Sequence, residues 1–217
     1  MSLQTGLRAR VLSAAARTEA PTRTQAMLTR LWLFGGAIAG ALAIFFVQGG
    51  VRPTGRPPVL IALTTLGTSV FAAAGMYFLL TRRPRSMSRR PFAVAVAVTG
   101  LSALAFVAWR HEVSAVYGLI VPWPDRVGFR CLRVGLLTGA LPLFAALVIW
   151  RRTDPLTPAA TGAAFGAGAG LGSAVLTDLW CPVSYLPHLM LGHVLPILIL
   201  SCVGALLGYV ALRVRRR

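Results

Sequence analysis

The side chains best suited to chemistry lie in one short stretch, residues 178–193, which joins two long apolar segments of the chain. This stretch contains Cys181, His188 and His193, and a further cysteine, Cys131, precedes an earlier apolar segment. Thiolate sulfur and imidazole nitrogen are ligands that zinc and other soft metal ions prefer. The histidines are five residues apart, so we expect His188 in the loop and His193 about one turn into the next helix, where both could approach Cys181.

Three interpretations of these residues are open from the sequence. Cys131, Cys181, His188 and His193 could form a tetrahedral metal site, although their spacing is not that of a recognised zinc motif. Cys131 and Cys181 could instead form a disulfide in an oxidising compartment, or all four side chains could simply pack and form hydrogen bonds. The third cysteine, Cys202, lies within an apolar segment and is predicted to fill space as a small apolar side chain.

Asp178 lies near the end of an apolar segment. An ionisable side chain at such a depth is normally paired or functional. Arg130, Arg133 and His193 are its candidate partners, and a structural ion pair is the simplest interpretation.

Hydropathy predicts that membrane-spanning helices position these residues. Apolar residues make up 56% of the 217 residues and charged residues 12%, and several apolar runs reach about 18 residues, enough to cross a bilayer. We predict an all-α fold: a polytopic membrane bundle of six transmembrane helices (residues 30–217) after a short cytoplasmic N-terminal amphipathic helix (residues 1–29). The spans are predicted at 31–47, 59–80, 92–109, 134–150, 159–180 and 189–212.

Arginine sets the predicted orientation of this bundle. All 22 basic residues are arginine, and the formal net charge is +17. With the N-terminus inside the cell, 16 arginines fall on the cytoplasmic side and 6 on the opposite side. Because cytoplasmic loops of membrane proteins are enriched in basic residues, we predict that both termini are cytoplasmic and that the chain does not bind nucleic acid directly.

The N-terminal segment, residues 1–29, is polar by comparison with the rest of the chain. Its apolar and basic side chains follow helical spacing, at Leu3, Leu7, Arg8, Arg10, Val11 and Leu12. Such a helix could lie on the lipid surface or bind a soluble partner. These six residues are therefore the candidate partner-binding residues.

Glycines at intervals of four mark the predicted helix packing. They are Gly162, Gly166 and Gly170 in the fifth span, and Gly204 and Gly208 in the sixth. Residues four apart share one helix face, where a missing side chain allows close backbone approach in lipid. The fifth span is therefore predicted at the centre of the bundle, and a homodimer through the same face is the alternative.

Recognised enzyme motifs are missing from the sequence. It has no Cys-x-x-Cys pair, phosphate-binding glycine loop, Gly-x-Ser-x-Gly or His-Glu-x-x-His. The spans carry neither the central charges nor the internal repeat that mark transporters. We predict that the protein is not an enzyme, with a membrane thiol or metal-dependent oxidoreductase, or a small transporter, as the alternative.

The C-terminal part of the chain resembles a known family. The resemblance is clearest over the C-terminal 90 residues, and the segment 155–213 carries most of its motifs. It rests on Pro-Leu-Thr-Pro-Ala-Ala-Thr-Gly at 155–162, Cys131, Pro142, Cys181-Pro182, His188, Gly192-His193 and Gly204-Ala-Leu-Leu-Gly208. In these residues the chain is similar to the NrsF family of six-pass anti-sigma factors of the bacterial inner membrane. That family commonly has a Trp-His pair where this chain has Gly192-His193.

The resemblance implies a function in signal transduction and stress response. It implies that the N-terminal segment holds an extracytoplasmic-function sigma factor at the lipid bilayer. It also implies that the periplasmic cysteines, Cys131 and Cys181, take part in sensing an outside stress such as metal ions. No resident cofactor is implied, because zinc or another soft metal ion would act as the signal.

Overall fold

A computed structural model describes residues 22–51, 56–81, 89–120, 127–151 and 158–212, and helices make up almost all of these ranges. Numbered here in chain order, they are α1 (Arg23–Val47), α2 (Pro58–Thr81), α3 (Arg89–Val116), α4 (Phe129–Trp150), α5 (Pro158–Trp180), α6 (Leu186–Leu189), a π-helix (Met190–Val194) and α7 (Leu195–Ala211). No strand occurs in these ranges. The prediction of an all-α fold is confirmed for the described residues.

Four of the helical segments are long and apolar enough to cross a bilayer: α1 from Thr24 onward, α4, α5, and the continuous run Leu186–Ala211. A shorter apolar stretch, Pro58–Val70, lies in α2. Outward-facing side chains are apolar, and Trp32 and Val47 are 79% and 85% exposed. Such a surface is stable against lipid rather than water. The chain is therefore a helical membrane protein, while the full set of six spans stays a prediction.

The first helix begins at Arg23, eight residues before the predicted start of the first span. Thr22 caps it, since the Gln25 amide donates to Thr22 Oγ1 (3.2 Å) and the Thr22 amide donates to Gln25 Oε1 (3.0 Å). This reciprocal capping box satisfies backbone donors that a helix start otherwise leaves unpaired. Residues 23–29, predicted to belong to the cytoplasmic segment, are thus part of α1.

The closest helix contact joins α5 and α7 through glycines. A Cβ atom on Gly162 would overlap the backbone of Gly204, and one on Gly166 would overlap the carbonyl oxygen of Leu200. From the α7 side of the contact, a Cβ atom on Gly208 would lie 2.6 Å from the carbonyl oxygen of Pro158 in α5. Farther along the contact, a Cβ atom on Gly170 would lie 2.7 Å from Ile197 Cα. The face with predicted packing glycines is therefore covered by α7 of the same chain.

A third helix, α4, completes the centre of the bundle. Its Leu143 and Leu147 are buried in one cluster with Ala169 of α5 and Leu200 of α7. Gly139 of α4 faces the Leu200 side chain closely enough that a Cβ atom there would overlap it. The ends of α4, α5 and the run into α7 are therefore held at fixed separations, which positions the side chains at those ends.

Candidate functional site: a buried thiol and imidazole cluster

Two cysteines and two histidines meet at one end of the bundle. Cys131 lies in the first turn of α4, Cys181 directly follows α5, His188 lies in α6 and His193 in the π-helix. All four are buried, with 2% to 7% of their surface exposed. One ligand atom from each lies within 4.8 Å of the others. The structure thus brings together the four residues singled out in the sequence, here named the thiol-imidazole cluster.

His188 bridges the two sulfur atoms. Its Nε2 atom lies 3.3 Å from Cys131 Sγ and 3.1 Å from Cys181 Sγ. Both cysteines are free thiols in this structure, and neither is in a disulfide. Cys202 is also free, but it is exposed on α7, so it faces outward instead of filling the interior as predicted.

The π-helix explains how two histidines five residues apart reach the same site. A π-helix forms hydrogen bonds between residues five apart and is wider than an α-helix, so it inserts one extra residue into the turn. Here the π-helix Met190–Val194 begins two residues after His188 and contains His193. The two rings are 5.8 Å apart between centroids. In an α-helix the same spacing would turn the rings away from each other.

Two glycines let the start of α4 approach this turn. Gly128 has φ +93°, a conformation that side chains rarely adopt, and a Cβ atom on it would lie 3.1 Å from the carbonyl oxygen of His188. A Cβ atom on Gly192 would lie 2.8 Å from Cys131 Cβ. Glycine at position 192 therefore leaves room for Cys131 beside the π-helix.

The chemistry of the cluster depends on Cys181, which lies just beyond the end of α5. The adjacent Cys131 thiol lowers the pKa of Cys181, and the hydrogen bond from His188 acts in the same direction, while burial opposes both. A thiolate is the form of cysteine that binds metal ions and reacts as a nucleophile. The neighbours of Cys181 therefore favour the thiolate at this cysteine rather than at Cys131.

Asp178, one turn before Cys181, is fully buried in an ionic network. It forms a salt bridge with Arg110 of α3. Its Oδ2 atom accepts a hydrogen bond from Thr65 Oγ1 (2.9 Å), and its carbonyl oxygen accepts one from Arg56 Nη2 (3.0 Å). The network ties α5 to α2, to α3 and to Arg56, two residues before α2.

Of the predicted partners of Asp178, His193 is close enough to interact electrostatically, whereas Arg130 and Arg133 are not its ion-pair partners. Arg130 lies over the ring of Trp180 at 5.0 Å, and Arg133 is exposed. Sequence reasoning missed Arg56 and Arg110 because both were counted only as loop charges. Their positions, each beside an end of an apolar segment, were the signal that could have identified them.

Further contacts bind the loop after α5 to the first and third helices. Arg110 Nε donates to Ser184 Oγ (3.3 Å), and His111 Nδ1 lies 3.0 Å from the carbonyl oxygen of Ser184. Trp180 Nε1 donates to the carbonyl oxygen of Gln48, at the end of α1 (2.8 Å). The cluster therefore lies in a closed, polar end of the bundle that no single helix could form.

The predicted partner-binding residues lie outside the described part of the chain. They are Leu3, Leu7, Arg8, Arg10, Val11 and Leu12.

Comparison with known proteins identifies the family of the chain. No curated protein and no solved structure matches it. A family model does match, over residues 12–214, and its description is NrsF, negative regulator of sigma F. That range contains every residue of the thiol-imidazole cluster. The chain therefore belongs to the NrsF family, negative regulators of a sigma factor, as its C-terminal sequence had suggested.

Proposed function

We propose that the protein is an inner-membrane anti-sigma factor. Its cytoplasmic N-terminal segment holds an extracytoplasmic-function sigma factor, and a signal at the thiol-imidazole cluster releases that factor. The family supplies the regulator and its partner class. The single observation that carries the sensing step is the burial of four soft ligand groups within 4.8 Å of one another.

The proposed topology has six spans with both termini in the cytoplasm and the cluster on the periplasmic side. Support comes from the contacts at one end of the bundle, where Gln48, Arg56, Arg110, Cys131 and Asp178 converge. These residues lie alternately at the ends and the starts of successive helices, as in an up-and-down bundle. The arginine distribution favours the same orientation.

The cluster suits a soft divalent metal ion such as zinc. Structural zinc sites commonly use two cysteines and two histidines in a tetrahedral arrangement. One ring nitrogen of His193 lies within 4.8 Å of the ligand atoms of the other three residues, so it is placed to act as a ligand. Binding would require the loss of the Cys131 proton, because metal ligands are thiolates. The four groups would then move toward a common centre.

This movement can reach the cytoplasmic side through the helices. Cys131, Cys181 and His193 lie on α4, after α5 and before α7, respectively. The glycine contact between α5 and α7 leaves no space for independent adjustment, because backbone atoms cannot yield as flexible side chains do. A displacement at one end therefore shifts the opposite ends, where the sigma factor is held in this proposal.

The metal step is tested by cobalt binding to the purified full chain in detergent, because cobalt gives a visible spectrum with thiolate ligands. We expect Cys131→Ser to weaken cobalt binding by at least about a hundredfold. Loss of a residue that only supports a metal ligand already weakens metal binding by about 10–100-fold, and Cys131 is a ligand itself in this proposal. Cys202→Ser is the matched control and should bind normally. Equal binding by both variants would contradict a metal site.

The sigma-factor step is tested by co-purification of the factor with the membrane protein. We expect Leu7→Asp to abolish capture while membrane insertion is kept, because the change places a charge on the apolar face of the predicted helix. Ser13→Asp adds the same charge on the opposite face of the predicted helix and should leave capture intact. Capture that survives Leu7→Asp and Leu12→Asp would disprove the proposed binding segment.

A further inference from the structure

An apolar cavity of about 590 Å³ lies beside the packed centre of the bundle. Its walls come from α1, α2, α4 and α5, and they include Ile38, Ala73, Pro142 and Gly172. Protein interiors are close-packed and have few voids larger than a water molecule, whereas cavities that hold ligands usually measure about 300–1,000 Å³. The cavity therefore has the size of a binding site and not that of a packing defect.

The cavity is long and runs parallel to the helices. On α4 it extends from Thr138 to Trp150, a rise of about 18 Å at about 1.5 Å per residue. One leaflet of the hydrocarbon core is about 15 Å thick, half of the whole core. Ile38, Ala73 and Gly172 line the cavity and are exposed, so it is accessible from outside the bundle. Its length therefore matches one extended acyl chain that enters from the surrounding bilayer.

The two hydroxyl groups among the described lining residues already have acceptors in the protein. Ser173 Oγ donates to the carbonyl oxygen of Gly170 (2.8 Å), and Thr138 Oγ1 donates to that of Val134 (2.8 Å). The other described lining side chains are apolar or aromatic. A polar group placed among them would lose its hydrogen bonds to water without replacement. The part of an occupant that lies inside the cavity is therefore hydrocarbon.

Two arginines flank one end of the cavity. Arg151 directly follows Trp150, and Arg30 lies four residues before Phe34, on the same face of α1. Both arginines are exposed. The helices α1 and α4 pack against each other, and α1 begins and α4 ends at the end of the bundle opposite the thiol-imidazole cluster. The apolar cavity therefore ends beside positive charge, which is complementary to an anionic headgroup.

We infer that the cavity binds one acyl chain of an anionic phospholipid whose phosphate group lies near Arg30 and Arg151. Guanidinium groups bind phosphate oxygens through charge-assisted hydrogen bonds. The chain of the lipid would fill the space between α1 and the pair of α4 and α5, and would restore the contacts that a void lacks. This site depends neither on metal binding at the thiol-imidazole cluster nor on capture of a sigma factor.

Native mass spectrometry of the purified full chain, released from detergent, tests the site because it counts the lipids on each chain. Phosphatidylglycerol and phosphatidylcholine with the same acyl chains are compared, since only the first has a net negative charge. We expect the first molecule of phosphatidylglycerol to bind roughly twenty-five-fold more tightly than phosphatidylcholine, because each arginine near an anionic lipid contributes about fivefold. Equal binding of the two lipids would overturn the inferred headgroup contact.

The variant Gly172→Leu tests the cavity itself. A Cβ atom on Gly172 meets nothing within 4 Å, so the leucine enters the cavity without displacing protein atoms. It should weaken binding of the first lipid by at least about tenfold, because it takes the place of buried methylene groups. Gly36→Leu makes the same change at an equally open position on the opposite face of α1 from Phe34 and Ile38, and should leave binding unchanged. Phosphatidylglycerol binding that survives Gly172→Leu would mean that the basic surface alone holds the lipid, and would overturn the site.

Further variants locate the headgroup. Arg30→Gln and Arg151→Gln should each weaken binding of phosphatidylglycerol by about fivefold and leave that of phosphatidylcholine unchanged. Arg133→Gln removes an exposed charge near the other end of α4 and should change neither. If Gly172→Leu does not fold, Ala73→Leu decides in its place, because it narrows the cavity from α2; unchanged lipid binding in that variant overturns the site.

Discussion

Arginines beside membrane segments can have two different functions, and this protein uses both. Most of its arginines lie in segments predicted to face the cytoplasm, where charge orients the helices. Arg56 and Arg110 are instead buried against Asp178. Their presence on the predicted outer side weakens the arginine asymmetry, and the pairing with Asp178 gives these two arginines a role other than orienting the helices. A count of charges alone cannot separate these two functions.

Replacement of Asp178 should show how much the network contributes to stability. Asp178→Asn keeps the shape of the side chain but leaves two buried guanidinium groups without a counter-charge, so we expect a loss of about 3–5 kcal/mol in unfolding free energy. Glu112→Gln makes the same chemical change at an exposed site and should cost less than about 0.5 kcal/mol. Denaturant unfolding in detergent measures both. Equal small losses would mean that the network is not structural.

The thiolate of Cys181 gives a second prediction for single residues. Because its neighbours lower the pKa of Cys181, the thiolate should be present at neutral pH and disappear only when the solution becomes acidic. His188→Ala removes a hydrogen bond to that sulfur and should raise the pKa, so that thiolate appears at higher pH. Ultraviolet absorbance of the thiolate in a Cys202→Ser background measures this. A signal that arises only at alkaline pH would contradict the assignment.

At the level of elements, the glycines of α5 have different roles although they look alike in the sequence. Gly162, Gly166 and Gly170 meet the backbone of α7 or of the turn before it, whereas Gly172 has nothing within 4 Å of its Cβ position. Spacing of four identified the first three correctly as residues on one face. The position of that face relative to α7 depends on how the whole bundle packs.

The pair Gly166→Ala and Gly172→Ala separates packing from helix propensity. Both changes add one methyl group to the same helix. Gly166→Ala should destabilise the protein by about 2 kcal/mol and weaken signal-dependent release, because the methyl group overlaps the Leu200 carbonyl. Gly172→Ala should be neutral or stabilise by about 0.5 kcal/mol. Thermal unfolding and sigma-factor release are the measurements. Similar effects of the two changes would rule out a tight α5–α7 contact.

For the whole molecule, the decisive feature is that the polar groups gather at one end of an otherwise apolar bundle. Asp178, His188 and His193 lie close to Cys131, although Cys131 is separated from His188 by 57 residues in the chain. A sensor at that end and a partner at the other end require the bundle to lie across the membrane in one orientation.

Cysteine labelling in cells tests this orientation. In a background without native cysteines, Tyr117→Cys lies at the end of α3 near the cluster, and Arg151→Cys follows α4 at the opposite end; both positions are exposed. An impermeant maleimide should label the first in intact cells and the second only after lysis, because the proposed topology places only the first in the periplasm. The reverse pattern would place the cluster in the cytoplasm and exclude the proposed sensing route.

Composition and hydropathy were sufficient to predict an all-helical membrane protein, because crossing a bilayer requires long apolar helices whatever their arrangement. Residue types were also sufficient to identify Cys131, Cys181, His188 and His193 as one candidate group. The four side chains meet because of the π-helix and of two glycines. Gly128 directly precedes α4, and Gly192 lies in the π-helix. The pairing of Asp178 with Arg56 and Arg110 likewise depends on helices distant in the chain. Such contacts arise from the packing of the complete bundle, which local sequence patterns do not specify.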